Sequence, residues 1–189
     1  MKKKLAILAS GAGSNARKIL EHFKGNSQVE VALIASNNPA SGVLGIAAEY
    51  DVPTYFLNKS NFKESDQFIS VLKAAQVDWV ILAGFLWMVP ENLIKSFPNK
   101  IVNIHPALLP KHGGKGMYGH FVHEAVVANQ DTESGITVHF VNENYDEGEI
   151  IFQASVPVAE SDSARDVEAK VRKLEIEHFA IVIENLVCA

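Results

Sequence analysis

The chain predicts a doubly wound α/β fold: a mostly parallel sheet with helices on both faces, an antiparallel C-terminal strand pair and a long C-terminal helix. Three observations carry that expectation. Short apolar runs alternate with amphipathic stretches as far as about residue 130. A glycine-rich turn joins the first apolar run to the first amphipathic stretch. Beyond residue 135, two apolar runs follow each other with no helix-length insert between them.

In chain order the strand candidates are Leu5 to Ser10, Val29 to Ser36, Thr54 to Leu57, Trp79 to Ala83 and Ile101 to Ile104, each four to eight residues long. Between them Ser14 to Lys24, Gly42 to Tyr50, Glu64 to Ala75 and Glu91 to Phe97 read as helices. In the third, Phe68, Ile69, Leu72 and Ala75 share one face. Successive strand-helix-strand crossovers require parallel neighbours joined by right-handed connections. Ile136 to Val141 and Ile150 to Val158, separated by the polar turn Asn142 to Glu149, are expected to pair antiparallel at one side of the sheet. A last helix begins near Ser163, with Ser163 or Asp162 as its cap, and its pattern runs to about Val187. No linker, repeat or low-complexity stretch interrupts the pattern, so residues 1–189 read as one domain. The Gly-rich piece Lys111 to Gly119 reads as a long internal loop, where function and mobility are expected.

Apolar residues at 48% and charged ones at 21% exclude a disordered or collagenous chain. Seventeen basic against twenty-two acidic side chains leave a net charge of −5, which argues against broad binding to nucleic acid or anionic membrane. Any anion must be held by a local device. Cys188 is the only cysteine, which excludes an intramolecular disulfide or a multi-cysteine metal site and fits a reducing cytoplasm. Met1 to Lys4 followed by Leu5 to Ala9 has the outline of a signal peptide. However, the apolar run breaks at Ser10-Gly11, short of the roughly 7 to 15 residues such a core needs. No stretch approaches the roughly 20 apolar residues of a membrane span.

The local anion device is Ser10-Gly11-Ala12-Gly13-Ser14-Asn15, between the first strand and the first helix. Glycines allow a ligand close approach, and the free N–H groups and positive dipole of a helix start suit a phosphate. The same G-x-G-x-x-A spacing matches a dinucleotide fingerprint. Such a site needs an acid near the end of the second strand, where this chain has Ala35-Ser36-Asn37-Asn38. No Walker motif occurs.

Asn103 and His105 lie at the carboxyl end of the fifth strand, where ligands of open parallel sheets bind, and alternation points both to one side. An amide donor and an imidazole together suit carbonyl chemistry. A carboxylate from the turn Asn142 to Gly148 would orient the His105 ring and raise its pKa, and spacing alone leaves Glu143, Asp146 and Glu147 equivalent. His139 either faces this site or is a satisfied sheet histidine. His112, His120, His123 and His178 read as surface or helix residues. His120-x-x-His123-Glu124 invites a zinc reading that no third ligand supports.

Ser10 to Asn15, Leu82-Ala83-Gly84-Phe85, Asn103 to Lys111 (N-I-H-P-A-L-L-P-K), Gly135 to Val141 and Asp146-x-Gly148 together resemble the phosphoribosylglycinamide formyltransferase branch of the folate-dependent formyltransferases, in order over nearly the whole chain. The resemblance implies a Rossmann-like formyltransferase fold. It also implies transfer of a formyl group from (6R)-10-formyltetrahydrofolate to the amine of glycinamide ribonucleotide, with no metal, small-molecule substrates and a monomer or homodimer. It assigns Asn103, His105 and Asp146 to catalysis, and Gly11, Ala12, Gly13, Ser14 and Asn15 with Glu175 to the phosphoribosyl substrate. Leu86, Trp87, Met88, Val89 and Asn103 would contact folate. Ungapped spacing selects Glu175, although Glu177-His178 mimics the family's Glu-His locally. Trp87 and Ser65 stand where well-known members carry Arg, leaving Lys63 as the candidate cation. The length leaves no room for the extra domains of methionyl-tRNA formyltransferase or formyltetrahydrofolate deformylase. A 10-formyltetrahydrofolate hydrolase on the same scaffold is the alternative, and a non-catalytic phosphate-ligand sensor stands behind it.

Overall fold

The computed structural model describes all of residues 1–189. Seven strands form one sheet: β1 (Lys3–Leu8), β2 (Val29–Ser36), β3 (Thr54–Phe56), β4 (Trp79–Leu82), β5 (Ile101–His105), β6 (Glu133–Phe140) and β7 (Ile150–Pro157). Their spatial order is β3-β2-β1-β4-β5-β6-β7. The first five are parallel; β6 and β7 pair antiparallel, as their helix-free spacing requires. The helices are α1 (Ser14–Phe23), α2 (Gly42–Glu49), α3 (Lys59–Lys63), α4 (Gln67–Ala74), α5 (Glu91–Ser96), α6 (His120–Ala128) and α7 (Ala164–Val187).

Leu5 to Ala9 are all fully buried, because the sheet is covered on both sides. Alternation sorts them into two cores. Leu5, Ile7 and Ala9 pack with Ile19, Phe23, Phe179 and Ile183 of α1 and α7, while Ala6 and Leu8 face Phe62, Phe68, Leu72 and Leu93 on the other side. At roughly 1.5–3 kcal/mol for each fully buried large side chain, these two layers supply the main drive to fold.

The structure refines several element boundaries of the sequence expectation. The first strand runs Lys3–Leu8, and the chain turns into the crevice at Ser10, whose N–H donates to the Gly84 carbonyl at 3.0 Å. The helix expected over Glu64 to Ala75 begins at Gln67, and a separate α3 precedes it. Asn58 starts α3 through a capping box, accepting from the Asn61 N–H while the Asn61 side chain accepts from the Asn58 N–H. The His120 pattern forms the true helix α6, and β6 begins at Glu133 because it pairs opposite Pro157. Ser163 caps α7 by a reciprocal box with Asp166; Asp162 instead accepts from the Ala159 N–H and pairs with Lys170.

The chain winds outward from β1 to β3, then returns to β4 and β5. This reversal opens a crevice at the carboxyl ends of β1 and β4, the ligand position of open α/β sheets. Its two lips are tied together, since Ser10 Oγ accepts from the Leu86 N–H at 2.9 Å.

Candidate active site

A cleft of about 640 Å³ occupies this crevice and extends over β5, β6 and α7. At one end lies the turn between β1 and α1. Gly13 precedes α1 with φ +82°, a left-handed conformation that glycine adopts freely and that a side chain disfavours. A Cβ there would stand 2.9 Å from the Val43 Cα, because α2 packs directly behind the turn. No side chain caps α1, so its first N–H groups remain available to an anion.

Asn15 is buried beside this turn, its Nδ2–H donating to Glu175 Oε2 of α7 at 3.0 Å, while its Oδ1 has no partner within the protein. Burial pushes the Glu175 carboxyl above its ordinary range, and the Asn15 hydrogen bond only partly offsets that. Glu175 thus faces the cleft, whereas Glu177 is exposed.

At the other end, pairing of β5 with β6 sets Asn103 directly opposite His139 and His105 opposite Thr137. Residues opposite each other on neighbouring strands share a face. Asn103 Nδ2–H accordingly donates to His139 Nε2 at 3.1 Å, and His139 Nδ1–H donates to the Phe140 carbonyl at 2.8 Å. His139 therefore belongs to the site. His105 Nε2–H donates to the His112 carbonyl at 2.8 Å, leaving Nδ1 3.6 Å from Asp146 Oδ2. Asp146 Oδ1 stands 3.6 Å from His139 Nε2, and Oδ2 accepts from the Gly114 N–H at 2.9 Å. Of the three acids in the β6–β7 turn, Asp146 turns inward with φ +56°, while Glu143 and Glu147 are exposed. The turn is tight at its far side, where a Cβ on Gly148 would overlap the Phe140 carbonyl oxygen.

The raised pKa expected for His105 beside a turn carboxylate is overturned by its surroundings. His105 is 3% exposed, and burial lowers its pKa more than Asp146 raises it. His105 rests neutral at pH 7. Burial alone would push Asp146 up, but its polar surroundings, the donating Gly114 N–H among them, hold its carboxyl below the ordinary range. The site thus pairs an ionised carboxylate with a neutral imidazole.

Between the two ends, Leu86 and Met88 are exposed and Val89 is buried. Trp87 turns toward Phe62 and Phe85, with ring centroids 6.0 and 6.4 Å away, and Lys63 Nζ lies 5.5 Å from its ring. All four residues from Leu86 to Val89 line the cleft.

Sequence reasoning missed Thr137 and Gln153, which hold the chain that leaves β5. Thr137 Oγ1–H donates to the Ala107 carbonyl at 2.7 Å and Oγ1 accepts from the Leu109 N–H at 3.0 Å; Gln153 Nε2–H donates to Thr137 Oγ1 and to the Leu109 carbonyl. The only signal available was the strand register that sets Thr137 opposite both His105 and Gln153. His123, read as a surface or helix residue, lies in α6, is 4% exposed and lines the cleft from the inward face of that helix. His120 and Glu124 point outward, and no group of three or more His, Cys, Asp or Glu side chains is placed to hold a metal ion.

Residues 3–183 match the family described as formyl transferase. The chain is 39% identical over 194 residues to a protein of Arabidopsis thaliana named phosphoribosylglycinamide formyltransferase, chloroplastic; the match covers 97% of this chain and 66% of that protein. It therefore spans just under two thirds of the plant relative's length. A Haemophilus influenzae protein named phosphoribosylglycinamide formyltransferase is 35% identical, with 96% of this chain and 86% of that protein covered. The crystal structure of glycinamide ribonucleotide transformylase 1 from Geobacillus kaustophilus superimposes with a TM-score of 0.90 at 30% identity, covering 99% of this chain and 100% of that one.

Proposed function

Because the chain belongs to the formyl transferase family, we propose that it transfers the formyl group of (6R)-10-formyltetrahydrofolate to the amine of 5-phosphoribosylglycinamide, a step of de novo purine synthesis. The observation that carries this reading is one cleft with a phosphate-suited backbone turn at one end and a buried amide, imidazole and carboxylate at the other. A phosphorylated amine held at the first end presents its nucleophile to the second.

In this reading the N–H groups at Gly11 to Asn15 hold the phosphate, and Glu175 with Asn15 accepts hydrogen bonds from the ribose hydroxyls. Leu86 to Val89 and the turn before Asp146 hold the pterin, and the cleft volume falls within the roughly 300 to 1,000 Å³ that ligands of this size occupy. Asn103 keeps one N–H beyond the one given to His139 and donates it to the oxyanion that develops when the amine attacks the formyl carbon. The neutral His105 takes the proton released by the amine at Nδ1 and returns it to the departing N10. Asp146, 3.6 Å away, stabilises the transient imidazolium. No step calls for a metal, a nucleic acid or a membrane, and no helix of the chain is long and apolar enough to cross one. The reaction suits a cytoplasmic monomer or homodimer whose residues 1–189 act as one domain.

Incubation with 10-formyltetrahydrofolate tests the reading. Tetrahydrofolate is expected only when glycinamide ribonucleotide is also present. Equal release without the amine would identify a hydrolase, and product with an amino sugar instead would change the acceptor.

A further inference from the structure

His105 and Asp146 are gripped by one short segment of the loop after β5. The His112 carbonyl accepts the His105 Nε2–H at 2.8 Å, and two residues on the Gly114 N–H donates to Asp146 Oδ2 at 2.9 Å. The conformation of residues 112 to 114 therefore sets the spacing between imidazole and carboxylate. His112 itself has φ +52°, a left-handed conformation uncommon for a residue with a side chain.

The constraint comes from the His112 side chain. Its ring is 8% exposed, and Nε2–H donates to Asp131 Oδ2 at 2.5 Å. Asp131 follows α6 and is fixed there by its own N–H, which donates to the Val126 carbonyl at 3.1 Å. Lys111 Nζ lies 3.5 Å from the other Asp131 oxygen. Neither His112 nor Asp131 lines the cleft, so neither is placed to touch a substrate.

We propose that the His112–Asp131 pair is a positioning device for the catalytic imidazole: through the His112 carbonyl it fixes the Nε2–H tautomer of His105, and through Gly114 it seats Asp146 beside Nδ1. A carbonyl oxygen only accepts, so the nitrogen facing it must carry the proton. The lone pair of Nδ1 is left pointing at Asp146 and the cleft, as a proton-accepting role requires. Without the Asp131 anchor His112 relaxes from its left-handed conformation, its carbonyl turns away, and the two His105 tautomers mix.

The inference rests on His105 acting in the proposed transfer, and wild-type turnover tests that reading separately. The positioning role is tested by nitrogen-15 spectra of the histidines, which need no substrate, together with steady-state kinetics of Asp131→Ala, His112→Phe and Asp131→Asn. The wild type is expected to show a single Nε2–H tautomer for His105, and Asp131→Ala and His112→Phe a mixture. Turnover in these two falls on the order of 10-fold or more, within the ~100-fold that a misplacement of about 1 Å can cost, while KM for both substrates stays within about twofold. Asp131→Asn retains an acceptor oxygen for His112 and recovers most of the activity. His112→Phe keeps the ring volume and carries the same two readouts if Asp131→Ala does not fold. A single unchanged His105 tautomer in the variants overturns the proposal, as does a joint change of turnover and KM that merely follows lost thermal stability.

Discussion

The two ends of the cleft are built by opposite means. Gly11 to Asn15 form one contiguous turn whose binding groups are backbone N–H donors, positioned by the start of α1 and by the left-handed φ of Gly13. The polar cluster opposite draws Asn103 and His105 from β5, His139 from β6 and Asp146 from the β6–β7 turn, with support from Gly114 in a loop. A helix start offers the same kind of partial positive charge to any phosphate, so the turn supplies affinity with little chemistry. The cluster is buried, and burial makes its groups reactive: it keeps His105 neutral beside an ionised Asp146. In the proposed function one end binds and the other transforms, and substitutions should separate the two.

The largest effect is expected at the cluster. Asn103→Ala removes the proposed oxyanion donor and His105→Ala the proposed proton acceptor, and each should lower turnover on the order of 10² to 10³-fold while leaving substrate affinity within a few-fold. The pH profile sharpens this expectation. Because burial lowers the His105 pKa, turnover in the wild type should be level at neutral pH and fall only at a pH below 6.5, where the ring protonates. The same depression makes a stability contribution that is present above pH 6.5 and is lost as pH falls through the folded pKa. A turnover that rises on acidification would mean that the imidazolium is the active form.

Gly13→Ala comes next and acts on the binding end. A side chain at φ +82° costs about 1–2 kcal/mol, and its Cβ would meet the Val43 backbone at 2.9 Å, so the turn must shift. Affinity for the phosphorylated substrate and thermal stability should both fall, with the single-turnover rate at saturation preserved.

Glu175→Gln separates binding from stability at the same end. The folded pKa of Glu175 lies above its ordinary 4.5, so its contribution to stability is present below that pH and is lost as pH rises through the folded value. Glutamine removes the buried charge, so the free variant should melt above the wild type at pH 7 and match it more closely at pH 4. Its affinity for the ribonucleotide should drop about 10-fold, the loss of a charge-assisted hydrogen bond. The smallest change belongs to Lys63→Ala: with the cation 5.5 Å from the Trp87 ring, KM for the folate donor should rise about twofold to fivefold.

The same division explains how much was legible in the sequence. The Gly-rich turn is contiguous, so its glycines, its place between a strand and a helix, and the missing acid after β2 could all be read from neighbouring residues. The parallel half of the sheet followed from periodicity for the same local reason. Asn103 and His105 shared a strand and could be paired by alternation. Asp146 could not be separated from Glu143 and Glu147, because only the left-handed backbone at Asp146 turns one of the three acids inward. His139 could not be assigned either, since its role depends on the register that sets it opposite Asn103. The neutrality of His105 was missed because burial is a property of the folded environment, while the presence of a nearby carboxylate was visible in the composition of a turn. Asn58 and Asn61 divide the third predicted helix through a reciprocal cap that an apolar pattern does not register.

The division of labour is tested most directly by measuring, side by side in His105→Ala and Gly13→Ala, the dissociation constant for glycinamide ribonucleotide and the single-turnover rate of formyl transfer at saturation. The account predicts a crossed result: near-native affinity with transfer slowed at least about 100-fold in His105→Ala, and weakened affinity with near-native transfer in Gly13→Ala. Loss of affinity and rate together in both variants would contradict it, because the two ends of the cleft would then be acting as a single unit.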